Sequence, residues 1–334
     1  MMEILPAGPN DTEAIVALFR RSAFALQQVE WHTWKYSRNP FGPASTFKLV
    51  ENGRLAGAVA LVPRQFSFRG ETYTGLQAVD GLMGPEIRGK GLFNDVMHFL
   101  RRQRPEAPAE RYFFLSFPSL ASSVKAHERA GWQRLADFQL YTIPLTRRFL
   151  ARSKSLARLQ GPSEAAFWLL RSTLARRIAR RAIHVQPIPR FAASLNGYFS
   201  QERVFGDRSA AFMNWRVIDN PQADVRGFAI VEGGKEVGYA VGKVTGATLE
   251  LVDVKLAAND AAHLAALLLH LMGEGTVDAV DYWLVTPPGY LSMFPRFLRF
   301  HRPFSGAVFV DHVAECGLPS GVDGWDVSYL DSDW

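Results

Sequence analysis

The chain's hydrophobic and polar positions switch repeatedly between a helical period and a strand period. Asn10-Asp11-Thr12-Glu13 offers a cap with a glutamate three positions on, and "AIVALFRRSAFAL" then follows with helical spacing. "TFKLV", the Asn52-Gly53 turn and "LAGAVALVPRQF" read as an antiparallel hairpin. "ETYTGLQAVDGLM" is a further strand that stops at Gly84-Pro85. Leu92, Phe93, Val96, Met97 and Leu100 then share one helical face. "RYFFLSF" reads as a buried strand, and "SLASSVKAHERAGW" as a helix from about Ser119 that ends at Gly131. "FQLYTIPL" is expected to close the unit as its last strand. The order αβββαβαβ predicts an α/β fold of the mixed-sheet (α+β) kind, with helices on the faces of the sheet.

The pattern then repeats. "WKYSRNP" (Trp34 to Pro40) returns as "WRVIDNP" (Trp215 to Pro221), and at the same offset "VENGRLAGAV" meets "VEGGKEVGYA" without a gap. Gly53 falls on Gly234 and Gly57 on Gly238. Two tandem copies of one domain are expected, at 1–145 and 191–334, joined by a linker at 146–190. In the second copy Val252-Asp253 resembles Val79-Asp80, but nothing corresponds to Arg88-Gly89-Lys90-Gly91. The recurring Trp34 and Trp215 are either architectural or part of an acceptor pocket, and their repetition favours architecture.

Charge sharpens this division. The net charge is +6, yet residues 146–190 hold eleven Arg and Lys against the single acid Glu164, so the rest of the chain is negative. "EAAFWLLRSTLARRIARRAI" carries Phe167, Leu170, Leu174 and Ile178 on one face with arginines around it. Such a helix can lie on a membrane, dock an acidic partner or bridge two domains, and bridging is the reading favoured here. Mean hydropathy is −0.05, no apolar run reaches the length of a membrane span, and the first residues lack a signal-peptide pattern. A cytoplasmic protein without a transmembrane segment is expected. The one cysteine, Cys316, allows neither an intrachain disulfide nor a cysteine metal cluster, and no metal is expected.

The candidate chemistry lies at "VDGLMGPEIRGKGLFNDVMHFL". At a helix start the first backbone amides lack partners and, with the helix dipole, form an anion site. Gly89 and Gly91 would let a phosphate approach the backbone, and Arg88 and Lys90 add charge. The alternative is a tight turn with solubilising bases. The Walker and dinucleotide glycine patterns are both absent, which disfavours ATP and nicotinamide cofactors.

"PEIRGKGLFNDVM" resembles the coenzyme-A-binding motif of the GNAT N-acetyltransferase superfamily, Gln/Arg-x-x-Gly-x-Gly/Ala. Arg88 and Gly91 match, and Phe93 departs from the final small residue. "HERAGW" is similar to the Tyr-x-x-x-Gly-Phe segment late in such domains. The resemblance covers about the first 145 residues, and the second copy resembles a degenerate GNAT domain.

This resemblance implies an N-acyltransferase using acetyl-CoA or another acyl-CoA, with a small-molecule, amino-sugar or peptide amine as acceptor. Arg88, Gly89, Lys90, Gly91, Leu92 and Phe93 would seat the pyrophosphate. The thioester would lie between "LQAVDGLM" and "YFFLSF", polarised by a free N–H from a bulge near Gly81-Leu82. Direct attack by the amine is expected, since Cys316 has no neighbouring motif for an acyl-enzyme. Asp80 either takes the amine proton or is a structural acid. His127 stands where the family has a tyrosine acid, and either handles protons or is a helix histidine without a role. Tyr141 is a reserve. Asp331, Asp333 and the Trp334 carboxylate either reach the cleft or form a solvated end. Other donors in a tandem-GNAT transferase stay open: a long-chain acyl-CoA, an acidic acyl carrier protein at the basic linker, or an aminoacyl-tRNA. So does a non-catalytic binding protein. DNA binding is not expected, because no basic helix presents a recognised base-reading motif.

Overall fold

The computed structural model describes residues 2–22, 28–104, 111–152, 160–221, 224–256, 260–285, 300–302, 304 and 306–332. The first half runs β1 (Met2–Pro6), α1 (Thr12–Arg21), α2 (Val29–Ser37), β2 (Ser45–Glu51), β3 (Arg54–Phe68), β4 (Glu71–Met83), α3 (Phe93–Leu100), β5 (Tyr112–Ser116), α4 (Ala121–Arg129), β6 (Gln133–Asp137) and β7 (Gln139–Pro144). Next come α5 (Arg147–Arg152), α6 (Gln160–Ile178), β8 (Ile183–Ile188), β9 (Val204–Gly206) and α7 (Ala210–Met213). The second half continues with β10 (Val225–Glu232), β11 (Lys235–Thr245), β12 (Thr248–Leu256), α8 (Ala261–Glu274), β13 (Ala279–Leu284), β14 (Phe300–Arg302), β15 (Ala307–Asp311) and β16 (Trp325–Asp326). The β2–β3 hairpin turns where Asn52 and Gly53 both take positive φ, 52° and 73°, the geometry an Asn-Gly pair favours.

Two mixed sheets result. The first has the order β1-β2-β3-β4-β5-β15-β6, with β9 on the far end of β3 and β16 on β9. The second has the order β14-β7-β13-β12-β11-β10-β8. The copies therefore exchange a strand: β7 leaves the first copy to lie between β13 and β14, and β15 returns to lie between β5 and β6. "FQLYTIPL" thus does not close its own unit. The reason is local: only Phe138 separates β6 from β7, too few residues for even a two-residue hairpin, so the chain runs straight into the other sheet. Arg101 at the end of α3 holds Asp311 of β15 by two hydrogen bonds, which ties the returning strand down.

The segment at 146–190 is not a separate spacer. Phe167, Leu170, Leu174 and Ile178 of α6 pack into the core of the second sheet, and β8 pairs with β10. No helix among the described residues is long and apolar enough to cross a membrane.

The repeat is visible as a pseudo-two-fold contact. Trp34 and Trp215 stack with ring centres 4.8 Å apart, and each indole N–H donates to the other's backbone carbonyl, at 3.0 and 3.1 Å. Both are buried between the sheets, so they are architectural. Strands β3 and β4 are 15 and 13 residues long where β11 and β12 have 11 and 9, which shifts the offset between copies after the first hairpin.

Candidate functional site

The turn before α3 is built on its glycines. Gly89 and Gly91 take φ of 81° and 78°, a region that costs an L-residue roughly 1 kcal/mol or more. A Cβ on either would meet nothing within 4 Å, so the space before the turn is open. Among the described residues, no backbone carbonyl accepts from the amides of Gly89, Gly91, Leu92 or Phe93. Ile87, fully buried, anchors the turn from below. Arg88 folds back, its Nε and Nη2 donating to the Met83 carbonyl at 3.3 and 3.2 Å. Lys90 Nζ lies 3.1 and 3.2 Å from the two Glu51 carboxylate oxygens. Both bases brace the turn, and the bare positive end is backbone. These residues fit an anion such as a pyrophosphate.

Beyond the turn the sheet opens. Strands β4 and β5 pair in parallel as far as Ala78 and Ser116 and then part, leaving a cleft of about 170 Å³. Here β4 bulges: Ala58 faces Leu82 and Ala60 faces Val79, so Asp80 and Gly81 stand against the single Val59, with Asp80 at φ 51°. The expected bulge exists, centred one residue earlier than Gly81-Leu82. Leu82 turns its side chain into a buried cluster with Ile15, Leu18 and Phe19 of α1. Phe93 stands over Gly81 so closely that a Cβ there would lie 2.7 Å from its ring.

Asp80 is held by two donors from the repeated tryptophan motif, Lys35 Nζ at 2.6 Å and the Tyr36 hydroxyl. Lys35 is buried and Asp80 largely so, an ion pair that fixes the strained bulge. In the second copy Asp253 is held alike, by Arg208 Nε at 2.7 Å and the Tyr239 hydroxyl at 2.9 Å.

His127 is 3% exposed, and burial pushes its pKa down to about 4 against the opposing pull of the Ser123 carbonyl. It is therefore neutral at pH 7, not poised near 6.5. Its Nδ1 lies 2.7 Å from the Ser123 carbonyl, which can only accept, so Nδ1 carries the proton. Nε2 then accepts from Ser116 Oγ at 2.9 Å. Ser116 ends the paired part of β5, and nothing in the sequence pattern singled it out.

Other expectations shift. Tyr141 lies on β7 in the second sheet, its hydroxyl on Gln139, and it does not line the first cleft. Asp331 is neither solvated nor in the cleft: fully buried, it takes two hydrogen bonds from Arg208, at 2.9 and 3.0 Å. Burial would raise its pKa, but Arg208 and Arg64 outweigh that and hold it below the usual carboxylate range. Asp333 and Trp334 lie outside the described residues. No group of three or more metal-ligating side chains occurs among the described residues.

A mixed sheet with parallel central strands parting beside an open helix start is the architecture of the GNAT acyltransferases. Residues 3–134 match the family model described as an acetyltransferase (GNAT) domain. Residues 3–134 thus form a GNAT domain, and the chain as a whole shares the fold of a tandem GNAT protein. A probable N-acyltransferase of unknown function from Enterococcus faecalis aligns at TM-score 0.60 and 13% identity, over 93% of this chain and 72% of its own. A GCN5-related N-acetyltransferase from Anabaena variabilis gives 0.59 and 12%, over 93% and 72%. A tandem GNAT protein from the clavulanic acid biosynthesis pathway gives 0.54 and 13%, over 93% and 98%. At such identities the likeness is one of fold. A search of curated proteins found no match.

Proposed function

We propose that the chain is an N-acyltransferase that moves a short acyl group, most simply acetyl, from coenzyme A to a primary amine at the cleft between β4 and β5. What carries this reading is the junction of two features: a helix start with unpaired amides and open space before it, and a strand gap leading away from it. The turn at Arg88–Phe93 would take the pyrophosphate, chiefly through the backbone amides of Gly89, Gly91, Leu92 and Phe93. The cleft is small and roofed by Phe93, which suits a short acyl group over a long one.

The donor supplies an activated thioester, and the chain supplies position. Asp80 holds the bulge in its strained shape, so the backbone there is fixed in place to polarise the thioester carbonyl. His127 fixes Ser116, whose hydroxyl hydrogen faces Nε2 at 2.9 Å and the Ala78 carbonyl at 3.3 Å, and whose lone pairs remain for a substrate N–H. Asp80 and His127 are the titratable residues among those described along the cleft, and both are engaged. The amine accordingly loses its proton to solvent before attack, and the thiolate leaves as a good leaving group.

A second donor reading rests on α6, where Trp168 and Leu169 are 67% and 54% exposed beside Arg171. That apolar, basic patch suits an acidic carrier protein. Free-thiol release from acetyl-CoA, measured over a panel of amino sugars, polyamines and peptides, tests the main reading. Release that depends on one class of primary amine is expected. Release from no amine, with turnover from an acylated carrier protein alone, would move the donor to the carrier.

A further inference from the structure

Helix α6 carries apolar side chains on two sides. Phe167, Leu170, Leu174 and Ile178 follow the helical period on one face and pack into the core of the second sheet. The opposite face presents Ala165, Trp168, Leu169, Arg176 and Arg180, all exposed, with Arg171 and Arg177 exposed at its two edges. Among the described residues, Trp168 and Leu169 are the only sequence neighbours in the set of large apolar side chains left exposed. Apolar side chains scattered singly over a surface are ordinary, but an indole beside a leucine on an outer helix face is a patch.

The charge around this pair has one sign. Of the bases in α5 and α6 and just after them, Arg147 pairs with Glu164, Arg152 with Asp278, and Arg181 with Glu232 and Asp260. Arg148, Arg171, Arg176, Arg177 and Arg180 remain, exposed and without an acid against them among the described residues. The helix has one acid, Glu164, which Arg147 already holds, and residues 165–201 contain neither Asp nor Glu. Five uncompensated guanidinium groups therefore accompany two exposed apolar side chains.

The chemistry of this face selects among occupants. A second copy of the chain would set the same positive face against itself, which like charge disfavours. A protein partner has to match shape, but this is the convex side of a helix, and α6 lines neither the β4–β5 cleft nor the cavity beside β12 and β13. An acidic carrier docked on α6 would also rest on the helix that covers the second sheet, away from the residues of the working cleft.

An anionic lipid surface needs no matching shape. It takes an indole and a leucine into its headgroup region while arginines lie along its phosphates, and a tryptophan is suited to that boundary because its ring is apolar and its N–H is not. We infer that the outer face of α6 docks the protein peripherally on an anionic membrane surface, with the helix axis in the membrane plane, Trp168 and Leu169 inserted, and Arg171, Arg176, Arg177 and Arg180 at the lipid phosphates. Two apolar side chains hold a protein weakly, and so does a few-residue basic patch; attachment needs both.

The test is co-sedimentation of the full chain with vesicles of phosphatidylglycerol and phosphatidylcholine in equal parts, beside vesicles of phosphatidylcholine alone. Binding to the anionic vesicles is expected, roughly tenfold or more tighter than to the neutral ones and weakening as salt rises. Trp168→Ser with Leu169→Ser, and separately Arg176→Gln with Arg180→Gln, should each lower the partition constant roughly tenfold while the melting temperature stays that of the wild type. No binding of the wild type to anionic vesicles would overturn the inference. So would undiminished binding in the folded Trp168→Ser/Leu169→Ser chain, which marks adsorption by charge alone. A complex with acyl carrier protein or polyuridylate that is tighter than vesicle binding, and is lost in that same variant, would give the face to a protein or a nucleic acid and overturn it as well.

Discussion

Phe93 stands where the family motif has a small residue, and its ring covers Gly81 at the floor of the cleft. If this ring sets acyl length, Phe93→Ala should shift kcat/KM from acetyl-CoA toward butyryl-CoA by roughly tenfold, the scale of an apolar pocket's discrimination. An unchanged ratio would remove Phe93 from that role. His127 makes a prediction through pH. Burial brings both His127 and His32 to a pKa of about 4, His32 through burial first and the nearby Lys35 charge second. Both are depressed below the unfolded value of about 6.5, so the unfolded chain binds more protons between those values. Their contribution to stability is whole above pH 6.5 and is lost as pH falls through 4. The melting temperature should drop from pH 7 to pH 4.5, and His127→Asn should flatten that drop; an equal slope would refute the buried neutral state. Turnover should rise with pH toward the amine's own pKa, with no inflection from His127. At this scale the sequence marked Asp80 and His127 as notable, but Lys35, Tyr36 and Ser116 come together only through tertiary contacts that no local pattern records.

Among the elements, the most legible were those whose chemistry is local. The Asn52-Gly53 hairpin, the stop of α4 at Gly131 and the glycine turn before α3 each need a backbone shape that few residues adopt, so the sequence shows them directly. The destination of β7 was not legible in the same way, because a strand's pattern of apolar residues does not say which sheet receives it. The available signal was negative: "WQRLADFQLYTIPL" has no turn residue between its two strands. Helix α2 is hidden inside the repeated tryptophan motif, since its buried residues Trp31, His32, Trp34, Lys35 and Tyr36 follow no amphipathic stripe. Asp80 at positive φ tests the bulge as an element. Lys35→Met should leave that carboxylate without its buried cation and lower both turnover and the melting temperature. Wild-type values for both would show that the bulge stands without the ion pair.

For the whole molecule, strand exchange makes the two copies one folding unit in spite of their repeat. A fragment of residues 1–145 would lack β15, whose Ala307, Val308, Phe309 and Val310 are buried in the first sheet, and would expose the edges of β5 and β6. Expressed alone it should aggregate, and a soluble fragment with cooperative unfolding would contradict the exchange. Under the proposed function, the same view predicts how many coenzyme molecules the chain takes. The start of α3 is bare and open, while the start of α8 is filled by Asp260. Calorimetric titration of the full chain with coenzyme A should therefore give one site per chain, abolished in Gly91→Glu at an undiminished fold signal by circular dichroism. Two sites per chain, no saturable binding to the wild type, or wild-type affinity in a folded Gly91→Glu chain would contradict the assignment of the working cleft.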